Sequence, residues 1–264
     1  MIRTVVALSL LLILSAAAID QSRAATPSPR LVIFTDISGS TDSAAWQATT
    51  DWLAAGLAAA VDYLGVRTID ICPFDDNASV YTPRRRQVRM PVPDSAAIMH
   101  EVAQQYGPWG EQCRKEFQKR LAIVEATAVD SVFAAGEYLR ALAFSFSDCT
   151  AYTDLVQTLS FTNDRDYIVV IGDLKNSCDS LMTPELRLIG PNPDVQALFF
   201  FVPSNKDVGP KRSTFVVYEE RKELFETILP GSTVIIACTA NPNWWQTWDN
   251  AEARSDRLVD HSDR

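Results

Sequence analysis

The chain has 264 residues, 47% of them hydrophobic and 22% charged, with a formal net charge of −9 at pH 7. That composition describes a globular protein and excludes a disordered one, and a chain of this length buries enough surface to fold without disulfides or structural zinc. The acidic balance argues against nucleic acid as a partner, which would need clustered Lys and Arg, and two histidines, His100 and His261, are too few for a His-rich zinc centre or a His-driven triad.

At the N-terminus, Arg3 precedes an apolar stretch from Val5 to Ile19 with Leu10, Leu11, Leu12, Ile13 and Leu14 at its centre. About 15 residues at ~1.5 Å each make roughly 22 Å of helix, short of the ~30 Å needed to span a bilayer core. Ala16, Ala17 and Ala18 follow, and then Ser22-Arg23-Ala24. The segment reads as a secretory signal peptide over residues 1–24, cleaved after Ala18 or Ala24, so the expected destination is secreted or periplasmic, with no integral membrane span after cleavage. The five cysteines, Cys72, Cys113, Cys149, Cys178 and Cys238, are odd in number and match no zinc-ligand spacing. Their connectivity is open.

Beyond the leader, Arg30 to Asp36 is a short apolar run ending on an acid, the mark of a buried parallel strand. Ser43 to Leu64, with Trp46, Trp52, Leu53, Leu57 and Val61 near helical spacing, predicts a long helix. Val66 to Phe74 predicts the second strand, with Asp75-Asp76-Asn77 as its turn, and Ala78 to Tyr81 a short edge strand closed by Pro83. Arg84-Arg85-Arg86 and the pair Pro91/Pro93 are read as interrupting regular structure. Helices are expected at Ser95–Tyr106 and from Glu111 to Phe146, parted by Gly107-Pro108-Trp109-Gly110. A short helix over Asp154–Phe161, strands over Asp166–Gly172 and Val195–Val202, a helix over Phe215–Leu229 and a strand over Ser232–Cys238 complete the series. Strands alternating with helices imply a three-layer α/β/α domain over residues 30–240, with a mainly parallel sheet and one antiparallel edge strand. Right-handed crossovers put the loops that follow parallel strands on one rim, where ligands of such sheets bind. Asp36 and Asp173, each closing an apolar strand, are therefore expected on the same rim.

The first rim loop is Asp36-Ile37-Ser38-Gly39-Ser40. Its carboxylate and two hydroxyls are hard oxygen donors that can converge on one ion if the chain turns at Gly39; such a set suits Mg2+, Mn2+ or Ca2+ rather than zinc. The competing use of the same residues is helix capping, which Asp and Ser also favour. The Asp36-x-Ser38-x-Ser40 pattern at a strand end resembles the metal-ion-dependent adhesion site of von Willebrand factor A domains. Two further segments extend the resemblance: Thr153-Asp154-Leu155 is similar to that family's Thr-bearing helix start, and Ile171-Gly172-Asp173 to its acid-bearing strand end. The resemblance runs from about Arg30 to Thr239. It implies a Rossmann-like von Willebrand factor A fold and a metal site made of Asp36, Ser38, Ser40, Thr153 and Asp173. Within it the two serines and Thr153 ligate directly while the two acids act through water. The implied activity is non-catalytic binding of a protein partner's exposed carboxylate. Residues 84–148 are longer than the family's usual connection and are read as holding a helical insertion.

Around this site, Asp75 and Asp76 read as an acidic turn on the same rim, and Arg84, Arg85, Arg86 and Arg89 as a solvated strand edge. Cys149 and Cys178 flank two of the metal loops, and a bridge between them would hold both in place. Trp244, Trp245 and Trp248, in a tail spanning 241–264, are expected to pack back onto the domain's own helices. The rival functional reading is a Mg2+-dependent phosphoesterase with Asp36 as nucleophile, since a strand-end Asp before a hydroxyl-rich loop is also similar to haloacid-dehalogenase-type phosphatases. Those carry a second acid two residues on, where this chain has Ser38, and the chain has no GxSxG elbow, P-loop or HExxH.

Overall fold

Strict alternation of side chains along four apolar runs assigns each residue to one of two sheet faces. The computed structural model describes residues 29–75, 84–108, 110–144, 150–159, 166–175, 191–193, 195–204, 213–236 and 243–248. Among these residues one sheet contains β1 (Arg30–Asp36), β2 (Thr68–Phe74), β3 (Arg86–Arg89), β4 (Tyr167–Gly172), β5 (Ala197–Phe201) and β6 (Thr233–Ile236). The strand order is β3-β2-β1-β4-β5-β6, with every neighbour parallel except the antiparallel β2–β3 pair. The helices are α1 (Ser43–Leu64), α2 (Ser95–Tyr106), α3 (Glu111–Arg140), α4 (Tyr152–Leu159) and α5 (Thr214–Ile228). The expected α/β class, mainly parallel with one antiparallel edge strand, is what the molecule has.

Leu31 and Ile33 of β1, Ile69 and Ile71 of β2, Val169 and Ile171 of β4, and Leu198 and Phe200 of β5 point to one face. There they meet Trp46, Leu53, Leu57 and Val61 of α1 and Val132, Ala135 and Leu139 of α3. The alternate positions, Val32, Phe34, Cys72, Phe74, Val170, Phe199 and Phe201, meet Tyr152, Leu155, Val156 and Leu159 of α4 and Val217, Phe225 and Ile228 of α5. Two cores on a sheet buried from both sides are why the strands are uniformly apolar. No helix among the described residues is long and apolar enough to cross a membrane.

Two elements depart from expectation here: the helix expected to run from Glu111 to Phe146 ends at Arg140, and the arginine-rich stretch is ordered. The arginine-rich stretch does not interrupt regular structure: Arg86–Arg89 is the edge strand β3, whose Val88 pairs with Ile69 and whose Arg86 and Arg89 face solvent. Arginine side chains are tolerated there because only one edge of the strand is paired inward. The edge strand expected at Ala78–Tyr81 lies outside the described residues, as do the leader, Asp76, Cys149, Cys178 and Cys238. Cys72 and Cys113 are buried and free, so a bridge within the chain is confined to the other three cysteines. Burial and the neighbouring Asp70 push the Cys72 thiol up to about 12, which leaves it without thiolate character at neutral pH.

Arg85 is not merely solvated. It pairs with the buried Asp70, which also lies 3.6 Å from Arg30, and Arg30 in turn grips Asp166 through Nε at 3.1–3.2 Å and through its backbone N–H at 3.1 Å. This chain of charges ties the starts of β1 and β4 to β2, at the end of the sheet away from the Asp36 rim.

Trp244, Trp245 and Trp248 pack back as expected, joining the α1 face with ring contacts to Phe200 at 6.1 Å and Tyr167 at 5.4 Å. Gly56 of α1 makes the room: a Cβ there would lie 2.7 Å from the Trp245 ring and 2.8 Å from the Trp244 indole nitrogen. In an unencumbered helix Gly→Ala gains ~1 kcal/mol, so the sign of the effect is informative. Gly56→Ala is expected instead to destabilise by about 1–3 kcal/mol and to shift tryptophan emission to the red as the turn is pushed off α1. Equilibrium unfolding followed by fluorescence checks both, and a stabilised variant with unmoved emission would refute the packing.

Candidate metal centre

The rim loop is held from below by the sheet itself. The Ile37 N–H donates to the Phe74 carbonyl at 2.9 Å, the Asp42 N–H to the Pro203 carbonyl at 3.0 Å, and the Ser204 hydroxyl to the Ser40 carbonyl at 2.8 Å. Capping of α1 falls to Asp42, whose carboxylate accepts from the Ala45 N–H at 2.8 Å. The capping use of Asp36, Ser38 and Ser40 is therefore taken by another residue, and their oxygens turn to one another.

Asp36 Oδ1 accepts the Ser38 N–H at 2.9 Å, which curls the loop so that Ser38 Oγ lies 2.9 Å from Ser40 Oγ. Ser40 Oγ donates to Asp173 Oδ2 at 3.0 Å, and Asp173 Oδ1 accepts the Lys175 N–H at 3.0 Å. Asp36, Ser38, Ser40 and Asp173 are all buried, while Gly39 between the serines is exposed. Asp36, Ser38, Ser40 and Asp173, all named from sequence, are thus linked in one run of hydrogen bonds.

The threonine that joins them is Thr150. Its Oγ1 lies 2.7 Å from Ser38 Oγ and 3.3–3.4 Å from both Asp36 carboxylate oxygens. The Ala151 N–H, bonded to the Asp75 carbonyl at 2.8 Å, pins this segment to the end of β2. Asp75 serves the rim through its main chain. Thr153, the threonine the resemblance designates, is buried three residues further on in the first turn of α4. The helix begins at Tyr152, two residues before the start expected from sequence, so its first turn takes in Thr153 and leaves Thr150 on the preceding loop. The same segment brings Tyr152, whose hydroxyl donates to Asp36 Oδ2 at 3.2 Å.

Two carboxylates buried side by side are electrostatically uncomfortable without a positive charge. Burial first, and the negative charge of Asp173 second, push Asp36 up to about 7, against the hydrogen bonds from Ser38 and Tyr152 that favour its ionised form. Burial and the same two acids hold the Tyr152 hydroxyl well above its ordinary range, so it remains a protonated donor. Among the described residues no three His, Cys, Asp or Glu side chains come together to hold a metal. The cluster is two acids and three hydroxyls. That donor set fits a hard divalent cation: all oxygen, two negative charges in reserve, no nitrogen or sulfur.

Sequence reading had no route to Thr150, Tyr152 or Gly172 as parts of the site. The last has a clear physical trace: a Cβ on Gly172 would lie 2.0 Å from the Tyr152 hydroxyl and 2.6 Å from Asp36 Cβ. No protein-family model matches the chain, and no curated protein matches it either.

Proposed function

We propose that this is an exported, non-catalytic binding protein that holds one divalent cation in the rim cluster and uses it to take a carboxylate from a protein partner. The observation that carries the reading is that Asp36, Thr150, Ser38, Ser40 and Asp173, oxygen donors from three separate segments, are joined in one continuous run of hydrogen bonds. Mg2+ is the ion of choice, with Mn2+ and Ca2+ as substitutes. Ser38 and Ser40 supply direct donors and Asp36 and Asp173 act through water, as the resemblance to von Willebrand factor A domains implies. Thr150 takes the part the resemblance gives to Thr153, because its hydroxyl is the one bonded to Ser38. Neutral hydroxyls nearest the ion leave its charge underneutralised, which is what lets it accept an external acid. Secreted or periplasmic localisation follows from the leader, and the acidic net charge supports a protein rather than a nucleic acid as partner.

Millimolar Mg2+ is expected to raise the melting temperature of the wild type. Saturation at 100 times Kd contributes ~2.7 kcal/mol, or roughly 5–10 °C for a protein of this size. Asp36→Ala and Ser38→Ala should lose that response while keeping the sheet's circular dichroism. Affinity capture of a partner with Mg2+ but not with EDTA is the matching binding result. A melting response unchanged in both variants, or hydrolysis of a generic aryl phosphate abolished by Asp36→Asn, would replace the binding reading with none or with the phosphoesterase.

A further inference from the structure

Tyr152 spends a hydroxyl where a phenylalanine would pack as well. Its ring sits edge-on to Phe74 at 5.3 Å and to Phe225 at 5.8 Å, contacts that need no oxygen. The residue is fully buried, and a buried hydroxyl is a cost unless its hydrogen-bonding capacity is used. Here it is used: the O–H donates to Asp36 Oδ2 at 3.2 Å at the end of β1, and the same oxygen lies against Gly172, the residue before Asp173 at the end of β4, where a Cβ would come within 2.0 Å of it.

The surroundings are cut to this bond. Gly172 leaves free the space its own Cβ would take from the hydroxyl, 2.0 Å away. Leu174 has φ 55°, the left-handed region a branched side chain rarely enters, and is nevertheless fully buried. Such conformations persist where neighbouring contacts over-determine them, and they gather at functional loops. The turn carrying Asp173 is thus held in an uncommon shape, and the oxygen that bonds Asp36 is packed against Gly172 at the start of that turn.

We propose that the Tyr152 hydroxyl is a clasp between the two acid-bearing loops, a positioning residue that sets the separation of Asp36 and Asp173 for the cation. The inference rests on the cation reading above and names a determinant of its affinity. Its hydroxyl acts through Asp36, which it bonds, and through Gly172, against which it packs. Outer-sphere partners of this kind are worth 10- to 100-fold in metal affinity.

Mn2+ is the probe, titrated by calorimetry and by electron paramagnetic resonance into the wild type, Tyr152→Phe and Ile228→Val. Ile228 lies in the same core as Tyr152 and serves as a control for general loosening. Tyr152→Phe keeps the ring and its edge contacts, so its far-ultraviolet circular dichroism and urea m-value without metal should match the wild type. Its Mn2+ affinity should fall at least tenfold, with a broadened resonance as the ligand geometry loosens, while Ile228→Val binds as the wild type does. Equal affinity and an identical spectrum in Tyr152→Phe beside a wild type that binds would overturn the clasp and leave the cation reading standing. An equal loss in Ile228→Val would also overturn it, by assigning the effect to the core. A wild type that takes up no Mn2+ would remove both.

Discussion

Gly172→Ala is expected to be the most damaging single-methyl change in the protein, lowering stability by about 3 kcal/mol, the upper end of what overpacking costs, and abolishing the melting response to Mg2+. The reason is register. Thr35 of β1 pairs with Ile171 of β4, so the next step sets Asp36 beside Gly172 on the face that α4 covers. A Cβ at 172 would lie 2.0 Å from the Tyr152 hydroxyl, 2.6 Å from Asp36 Cβ and 3.1 Å from Asp36 Oδ2. None of these is the free end of a flexible chain. Asp36 Cβ is fixed by the strand, and the Tyr152 ring is wedged between Phe74 and Phe225. Relief requires α4 to lift from the sheet or β1 and β4 to part, and either motion separates Thr150 from Ser38. Urea unfolding in EDTA measures the first effect and a thermal shift with Mg2+ the second. A variant within about 0.5 kcal/mol of wild type, with its Mg2+ response intact, would show that the strand ends are not packed as described.

That steric fact marks where sequence reading stops. The buried strands were legible because apolar runs closed by an acid or a turn have few other uses, and β1 and α1 begin and end at the residues the pattern names. Asp36, Ser38, Ser40 and Asp173 were legible because strand-end position follows from topology alone: two loops after parallel strands share a rim. Thr150 was not, because its bonds to Ser38 and Asp36 reach across more than a hundred residues and leave no local pattern. β3 was ambiguous for a different reason. Its arginines read both as a break in regular structure and as a solvated strand edge; the edge is right, because an edge strand needs just one inward residue, Val88, while Asp70 draws Arg85 against the sheet. Tyr152 and Gly172 act as a pair across 20 residues, a hydroxyl and the gap that receives it, and neither carries a local pattern.

The second large effect is on pH dependence, and its sign is opposite to that of most carboxylates. An ordinary salt-bridged aspartate stabilises a fold above its pKa. Asp36 is held at about 7 against an ordinary value of 3.8, first by burial and then by Asp173. Between those values the folded protein binds a proton that the unfolded chain has released, so the free energy of unfolding falls as pH rises. The contribution is fully present below pH 3.8 and is lost as pH passes through 7. In EDTA the wild type should therefore be less stable at pH 8 than at pH 5.5, after subtraction of the background measured on Asp36→Asn. That variant keeps the side chain's shape without the charge, and should be the more stable of the two at pH 8. A divalent cation takes over the proton's role, so Mg2+ uptake displaces a proton below pH 7 and apparent affinity should fall up to about tenfold per pH unit there. Asp36→Asn should then be stable, folded and indifferent to Mg2+. Urea titrations at the two pH values, with EDTA and with Mg2+, give all four quantities. A wild type in EDTA that gains stability from pH 5.5 to 8 relative to Asp36→Asn would mean that Asp36 is ionised and satisfied without a cation, and the central charge argument for the metal centre would fall with it.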